Sequence, residues 1–538
     1  MSKPAGALRT VGVIGGGTAG YFAALALQRR FPHLSVSVVE SKTIPIIGVG
    51  EATTTLLPPF LHAQLGLDVE ALYREAKPTW KLGIKFEWGD PDGFFTYPFG
   101  PANPIEAAAF DGHLRAQSLI SLLMAADKSP LLREADGSIT SLLGHTKWAY
   151  HLHNAPFVAF LAKTAAARGI THVEGKISRV ETSPDQGRVE ALHLVDGRRL
   201  SFDLYVDASG FRSLLIEGAL GSNFESYASS LFCDTAVVAN VPHGGLVRPY
   251  TTAQTMNAGW CWRIPVEAED HRGYVFSSAF LDEGRAMEEL AAKNPGLGEP
   301  WVVRFRSGRH REFWKGNTVA VGNAYGFVEP LESTALHMVI IELGYLLDAV
   351  AAANGGLPDL GPANAKIGAH WDSLRWFLAV HYKFNERLDT PFWRAARADV
   401  DVTGLAEELE RLRTRGPWVE RGGTRFAADD PTFGHEGLMM VLLGQRADAA
   451  APRTLAGSAQ AWAARVAAQR ELVARALPQA EALAWLRANP AVLRAAVEAP
   501  DAWCQGNAER VDVAKGAHPR GDGPRAGSPY EALLQSLR

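Results

Sequence analysis

The first forty residues change their apolar period twice. In "RTVGVIG" (9–15) apolar residues run almost unbroken, as in a strand buried on both faces. "GGGTAG" (15–20) is a glycine turn, and "AGYFAALALQRR" (19–30) carries an apolar face at helical spacing. "LSVSVVE" (34–40) is a second strand, and it ends in an acid. The pattern predicts strand, turn, helix and strand in that order.

Further along, "TWKLGIKFEWG" (79–89) has period two. Trp80, Leu82, Ile84, Phe86 and Trp88 share one face, while Lys81, Gly83, Lys85 and Glu87 share the other. This predicts one half-buried strand with a solvated charged face. Gly83 between two lysines leaves room for a molecule to approach Lys81. "GWCWRIP" (259–265) places Trp260 and Trp262 on one side of a short strand that stops at Pro265. Taken alone, such a pair is ordinary sheet packing. "SFDLYVDASGFRS" (201–213) and "GNTVAVGNAYGFVEP" (316–330) are hydrophobic strands returning to small-residue turns, at Asp207 and at Gly322-Asn323.

"FVEPLESTALHMVIIELGYLLDAV" (327–350) predicts a long helix, with Leu336, Val339, Ile340, Leu343, Leu346, Leu347 and Val350 at helical spacing. It starts at Ser333 or Thr334, directly after Glu332, and Asn354-Gly355-Gly356 stops it. Unpaired backbone N–H groups and the positive dipole end make such a start an anion site. Ser333 reads equally well as an N-cap, and Glu332 as a carboxylate favourably placed before a helix. The segments 454–477 and 479–499 are alanine-rich helices, and 412–437 reads as loop. Residues 506–529 are Gly/Pro-rich and polar, an extended tail before a short helix in "YEALLQSLR" (530–538). Residues 1–8 are expected to be disordered.

The glycine turn carries chemistry. Gly15, Gly17 and Gly20 satisfy G-x-G-x-x-G, and Glu40 lies twenty residues past Gly20, where an acid reaches ribose hydroxyls. A lone fingerprint is weak. With strand, turn, helix, strand and acid in order, it points to an ADP-containing cofactor whose pyrophosphate sits on the helix N-terminus. Lys3 and Arg9 before an apolar run imitate a secretory signal, but the glycine turn accounts for the same residues better. No second nucleotide fingerprint for NAD(P)H is found. The net charge of −4 gives no electrostatic case for nucleic acid or an anionic membrane, and 47% hydrophobic with 21% charged residues suits a soluble globular protein. Cys233, Cys261 and Cys504 lie far apart with no CxxC, so neither a disulfide framework nor a metal site is expected, in keeping with a reducing cytoplasm.

The late strand-turn returns resemble the FAD domain of flavin monooxygenases of the hydroxybenzoate hydroxylase type, although that superfamily usually has Gly-Asp where this chain has Gly322-Asn323. "GGGTAG", "WKLGIKF", "WCWRIP" and "EPLEST", in this order, resemble the FAD-dependent halogenases, in particular their tryptophan and indole branch. "IIGVGEATTTLL" (46–57), "FRSGRHREFWKGN" (305–317) and "YKFNERLDTPFW" (382–393) are similar to that family too, over a span from about residue 10 to about 395. Trp260, Trp262, Ile264 and Pro265 match its W-x-W-x-I-P signature.

The resemblance implies an α/β fold: an FAD-binding Rossmann-like domain of the hydroxybenzoate hydroxylase type with an inserted substrate-side β-sheet (9–395), a C-terminal helical subdomain (396–505) and a tail (506–538). It implies that Gly15, Gly17, Thr18, Ala19, Gly20, Glu40, Ala52, Ile177, Asn323 and Leu336 line the FAD. In the family, reduced flavin and oxygen give a C4a-hydroperoxide that halide attacks to form hypohalous acid. The halide sits by backbone amides matching Thr334 and Ala335. The acid then travels to a remote pocket, where a lysine matching Lys81 engages it and a glutamate matching Glu332 orients it and takes the ring proton. The two indoles would wall flavin from substrate. Phe99 matches an aromatic that stacks on substrate, and Tyr97 stands where relatives carry histidine. Ala335 stands where the tryptophan enzymes usually have glycine. The residues that clamp the amino acid group of free tryptophan have no evident match.

These observations together predict a two-component enzyme, fed with FADH2 by a separate reductase. It would halogenate an indole or related aromatic rather than free tryptophan, and use bromide more readily than chloride. The alternatives are a flavin monooxygenase that hydroxylates its substrate and a catalytically idle flavin-binding protein.

Overall fold

The computed structural model describes residues 8–497, apart from 45–47, 49, 90, 92, 101, 144–145, 354–359, 419–432, 452–454 and 456. Val11, Val13 and Ile14 are buried in the strand Thr10–Ile14, which runs parallel to Ser35–Glu40 on one side and Leu204–Asp207 on the other. The helix Thr18–Arg30 connects the first two strands, and its apolar residues Phe22, Leu25 and Leu27 have no exposed surface. The full six-stranded sheet has the order Thr171–Glu174, Ser35–Glu40, Thr10–Ile14, Leu204–Asp207, Thr318–Ala320, Trp314–Lys315. All neighbours are parallel except the last pair. The turns after Ile14, Asp207 and Ala320 therefore gather at one edge, the carboxyl ends of the strands, where open α/β sheets bind ligands.

A second, seven-stranded sheet joins distant parts of the chain. Its order is Trp301–Arg304, Thr235–Pro242, Glu269–Phe276, Gly259–Pro265, Thr251–Met256, Gly83–Glu87, Phe95–Pro98. Gly83–Glu87 lies parallel to Thr251–Met256, whereas its other neighbour and the rest of this sheet are antiparallel.

The stretch 79–89 departs from the single strand expected. Thr79–Lys81 pairs with Ala149–Leu152 in a separate small sheet, and Gly83–Glu87 belongs to the seven-stranded sheet. Leu82 is the switch point, donating to Pro249 O at 2.7 Å and accepting from Phe99 N–H at 2.7 Å. Lys85 and Glu87 are partly exposed and pair with each other at 3.4 Å, as a solvated face should. Lys81 is not on that face; it is fully buried. Gly83 has a different purpose from the one expected. A Cβ there would lie 2.2 Å from Tyr97 O and 2.9 Å from Pro98 Cα, so glycine permits the close approach of the neighbouring strand.

Helices follow the two sheets. Ala335–Ala352 has Thr334, the later of the two expected starts, as its N-cap; the stop at 354–356 lies outside the described residues. It is the one described helix long and apolar enough to cross a membrane, and it is instead largely buried in the fold. The alanine-rich region forms Ala459–Arg475, Gln479–Ala488 and Pro490–Val497. Between the first two, Ala476–Pro478 adds an unforeseen strand beside Lys128–Arg133. The expected loop 412–437 is helical at both ends, in Ala406–Arg415 and His435–Gly444, because Leu405 and Leu412 pack against Leu438 and Leu442. Leu8 is buried against the core rather than disordered. Residues 1–7 and the tail and terminal helix expected over 506–538 lie outside the described residues.

Candidate active site

Pro330 fixes its own φ and opens the 3-10 turn Pro330–Glu332. Ser333 follows in the left-handed region, φ 60° and ψ 37°, with its N–H bonded to Pro330 O at 3.0 Å. That conformation is uncommon for a residue with a side chain and persists where surrounding contacts over-determine it. The contact here is Lys81, whose Nζ donates to Ser333 Oγ at 2.6 Å. Ser333 is therefore not an N-cap. Thr334 holds the cap position without a side-chain cap bond, and Ala335 is the first helical residue.

Lys81 Nζ donates also to Thr53 O at 3.0 Å and lies 5.2 Å from the centre of the Phe99 ring. Burial pushes its ammonium pKa down to about 7, against the opposing pull of Glu332. Among the described residues Lys81 and Glu332 form no direct ion pair, since the lysine reaches the neighbouring Ser333 instead. Glu332 is buried, and Oε1 lies 2.9 Å from His381 Nε2. His381 Nδ1 is 3.0 Å from Phe377 O. A carbonyl only accepts, so Nδ1 carries a hydrogen and a neutral ring presents Nε2 as an acceptor. Glu332 and His381 then share one proton. Burial raises the Glu332 pKa, opposed by the His381 hydrogen bond and charge and by Lys81.

The signature strand fastens both halves of this arrangement. Trp260 Nε1 donates to Glu329 Oε2 at 2.6 Å, three residues before Glu332, and Tyr382 O–H donates to the same oxygen. At the strand's end, Pro265 O accepts from Thr79 Oγ1 at 2.7 Å, two residues before Lys81. Trp262 and Trp260 lie side by side with ring centres 6.0 Å apart. Trp262 rests on Gly273, where a Cβ would come within 1.9 Å of the indole. Ile264 is buried beside them.

Aromatic rings cluster near Lys81 and Glu332. Tyr97 has its ring centre 6.3 Å from Phe433, which stacks on Phe377 at 4.2 Å. A Cβ at Gly437 would lie 2.3 Å from the Tyr97 hydroxyl, so this glycine makes room for the ring. Glu436 Oε1 accepts from Ala102 N–H at 3.0 Å, and burial raises its pKa. Tyr97, Phe99, Lys81 and Glu332 are thus brought together, and residues beyond 395 join them.

Several of the residues expected to hold the cofactor lie at the carboxyl ends of the six-stranded sheet. Gly15 has φ +124°, and a Cβ there would strike Ala208 O at 2.2 Å; one at Gly20 would strike Gly15 O at 2.0 Å. Those two glycines serve the tight turn and the helix-to-strand contact, whereas a Cβ at Gly17 would meet nothing within 4 Å. Open space at the N-terminus of Thr18–Arg30, where the first amides of a helix have no partner within it, fits a pyrophosphate. Glu40 ends its strand with Oε1 2.6 Å from His172 Nε2, and Ile177 opens the strand that follows Gly175, whose N–H bonds Glu40 O. Asn323 is in the turn Gly322–Ala324, Leu336 is buried in the first turn of Ala335–Ala352, and Ala52 pairs with His151. These residues fit a dinucleotide, and none of the described residues forms a cluster fit for a metal ion.

The tryptophan halogenase family model matches residues 10–461. The chain belongs to this family, whose members are flavin-dependent enzymes. Tryptophan 7-halogenase RebH of Lentzea aerocolonigenes is 32% identical over 431 residues, covering 74% of this chain and 81% of the relative. Tryptophan 6-halogenase ThaL of Streptomyces albogriseolus is 32% identical over 448 residues, covering 76% and 83%. Among solved structures, MibH, a lanthipeptide tryptophan 5-halogenase, superposes with a TM-score of 0.86 at 46% identity, covering 94% of this chain and 98% of that one.

Several residues of this halogenase's site escape the sequence patterns. Glu329 lies inside "EPLEST" with no signal of its own, and His381 directly precedes the family-like segment that begins at Tyr382. Glu342, buried in the helix Ala335–Ala352, accepts from Gly322 N–H at 2.7 Å and Trp371 Nε1 at 3.0 Å, and burial pushes its pKa up to about 8. It ties this helix to the Asn323 turn. Phe433 and Glu436 gave no signal inside an expected loop.

Proposed function

We propose that this enzyme is the halogenase half of a two-component cytoplasmic system that takes FADH2 from a separate reductase. The six-stranded sheet is assigned to an FAD domain of the hydroxybenzoate hydroxylase type within 9–395, and the helical subdomain 396–505 supplies Phe433 and Glu436 to the site. The substrate is the indole of a tryptophan side chain within a peptide rather than free tryptophan. The observation that carries the reading is the convergence of buried Lys81 and Glu332 beside Phe99, Tyr97 and Phe433. The peptide assignment rests on the 46% identity to a lanthipeptide halogenase. Glu436, committed to Ala102 N–H and disfavoured as an anion by burial, is a poor clamp for the ammonium of a free amino acid.

Bound FADH2 supplies, with O2, the two-electron oxidation of halide to hypohalous acid. Gly15, Gly17, Thr18, Ala19, Gly20, Glu40, Ala52, Ile177, Asn323 and Leu336 would hold the flavin. Thr334 and Ala335 offer halide the amides of a helix start. Lys81 holds the hypohalous acid near the indole, Glu332 accepts the ring proton, and the buried indoles Trp260 and Trp262 wall the two regions apart. The test is mass spectrometry of a tryptophan-containing peptide, free tryptophan and indole, each with a flavin reductase and bromide or chloride. The peptide is expected to gain one halogen, and omitting the reductase while supplying NADPH and FAD should leave it unchanged. Substrate gaining oxygen instead of halogen would sink the proposal.

Halide choice follows from the same turn. Ala335 has ordinary helical backbone and is the one residue of 331–340 that is part-exposed rather than buried. What it adds over glycine is a methyl group beside the amides, not a changed backbone angle. A larger, weakly hydrated anion tolerates an imperfect cradle better and is more easily oxidised, so bromide is used more readily than chloride. Ala335→Gly is expected to narrow the gap in a competition assay with both halides present. A chloride-dominant product from the native enzyme would contradict this account of Ala335.

A further inference from the structure

The turn that carries Glu332 opens with a second buried carboxyl. Glu329 has no exposed surface, and Trp260 N–H and Tyr382 O–H both donate to its Oε2. Oε1 is buried and has no hydrogen-bond partner among the described residues. An acid that accepts two donors on one oxygen carries its proton on the other. Burial raises the Glu329 pKa to about 7, opposed by the bonds from Tyr382 and Trp260, and no cation contributes. The titratable groups facing it are Tyr382, on the helix Gly361–Lys383, and Cys233, whose thiol is pushed up by burial and by Glu329 itself. At the far end of the same turn, Thr334 Oγ1 is also buried without a partner among the described residues.

Halide oxidation needs a proton. The balance is FADH2 + O2 + X⁻ + H⁺ → FAD + HOX + H2O, in which halide loses two electrons, and halogenation then follows as HOX + ArH → ArX + H2O. Glu332 serves the second step by receiving the ring proton, so the first step needs its own donor. We propose that Glu329 supplies, from Oε1, the proton consumed when halide is oxidised at the Thr334–Ala335 turn, a proposal that rests on the halogenase function above. Trp260 and Tyr382 keep the proton on the open oxygen. Glu329 regains its proton before the next turnover.

Glu329→Gln separates this role from a structural one. Glutamine keeps the size of the side chain and an oxygen to accept from Trp260 and Tyr382, but it has no acid proton to give. With reductase, FAD, bromide and air but no aromatic substrate, trapped hypobromous acid is expected to fall about 10²–10⁴-fold, the range of a positioned general acid. Flavin oxidation continues as FADH2 + O2 → FAD + H2O2, so peroxide rises while FAD affinity is unchanged. Cofactor-free protein gives a second readout, which does not depend on the variant's activity. Subtracting the E329Q infrared spectrum from the native one should leave a protonated-carboxyl band at pH 6 that fades towards pH 8, since the buried acids Glu51 and Glu342 absorb in both proteins and cancel. E329Q forming hypobromous acid within about twofold of native, below the range for a general acid, overturns the proposal, as does a missing band. Native enzyme that forms no hypohalous acid from any halide overturns the halogenase function and this proposal with it.

Discussion

Lys81→Ala is expected to abolish halogenation of the aromatic while hypohalous acid still forms. Lys81 Nζ is held by Thr53 O and Ser333 Oγ and lies over the Phe99 ring. In the function proposed above it meets the oxidant only after halide has been oxidised. A pKa pushed down to about 7 lets the amine be cationic or neutral at working pH, so it can either donate a hydrogen bond or attack the halogen. The measurement is product mass with and without a chemical trap for hypohalous acid. Native-like halogenation by the variant would reduce Lys81 to a buried charge with no part in the reaction. Lys81→Met checks the fold independently. Because the folded protein binds this proton less readily than the unfolded chain, native stability rises with pH from about 7 to the unfolded lysine pKa. The stability gained by removing the charge should be greatest at pH 7 and below and shrink towards pH 10.

The glycine turn was legible because its spacing is set within six residues: Gly15 takes a positive φ, Gly17 meets open space and Gly20 meets the backbone of Gly15. The contact of Gly15 with Ala208 O, from a distant strand, gave no local signal. The burial of Lys81 was not legible. Period two grouped it with Lys85 and Glu87, and nothing local says that the chain changes sheets at Leu82. That change depends on Ala149–Leu152 and Pro249, which lie far along the chain. His381 and Tyr382 lie 49 and 53 positions from the glutamates they bind, and only the path of the helix Gly361–Lys383 brings them back. Gly437 illustrates the opposite error. It closes the segment 412–437 expected as loop, yet it is a helical residue whose missing side chain admits Tyr97.

Glu332→Gln should slow halogenation by about 10²–10⁴-fold, the loss typical of a positioned base. Glutamine fits the site without rearrangement. Its amide can donate to His381 Nε2 where Glu332 Oε1 now lies at 2.9 Å, because Phe377 O already fixes the hydrogen on Nδ1. What is lost is the ability to accept the ring proton. The sign of the pH dependence follows from burial, which raises the Glu332 pKa despite His381 and Lys81. A base must be ionised to act, so native halogenation of a peptide tryptophan should fall as pH drops through that raised value. The acidic limb should vanish in Glu332→Gln, leaving a slow rate with a flat profile there. Hypohalous acid formation without substrate should be unaffected, since the ring proton appears only in the second step. If the variant keeps both the rate and the acidic limb, the base lies elsewhere, and His381, sharing the same proton, is the next residue to replace.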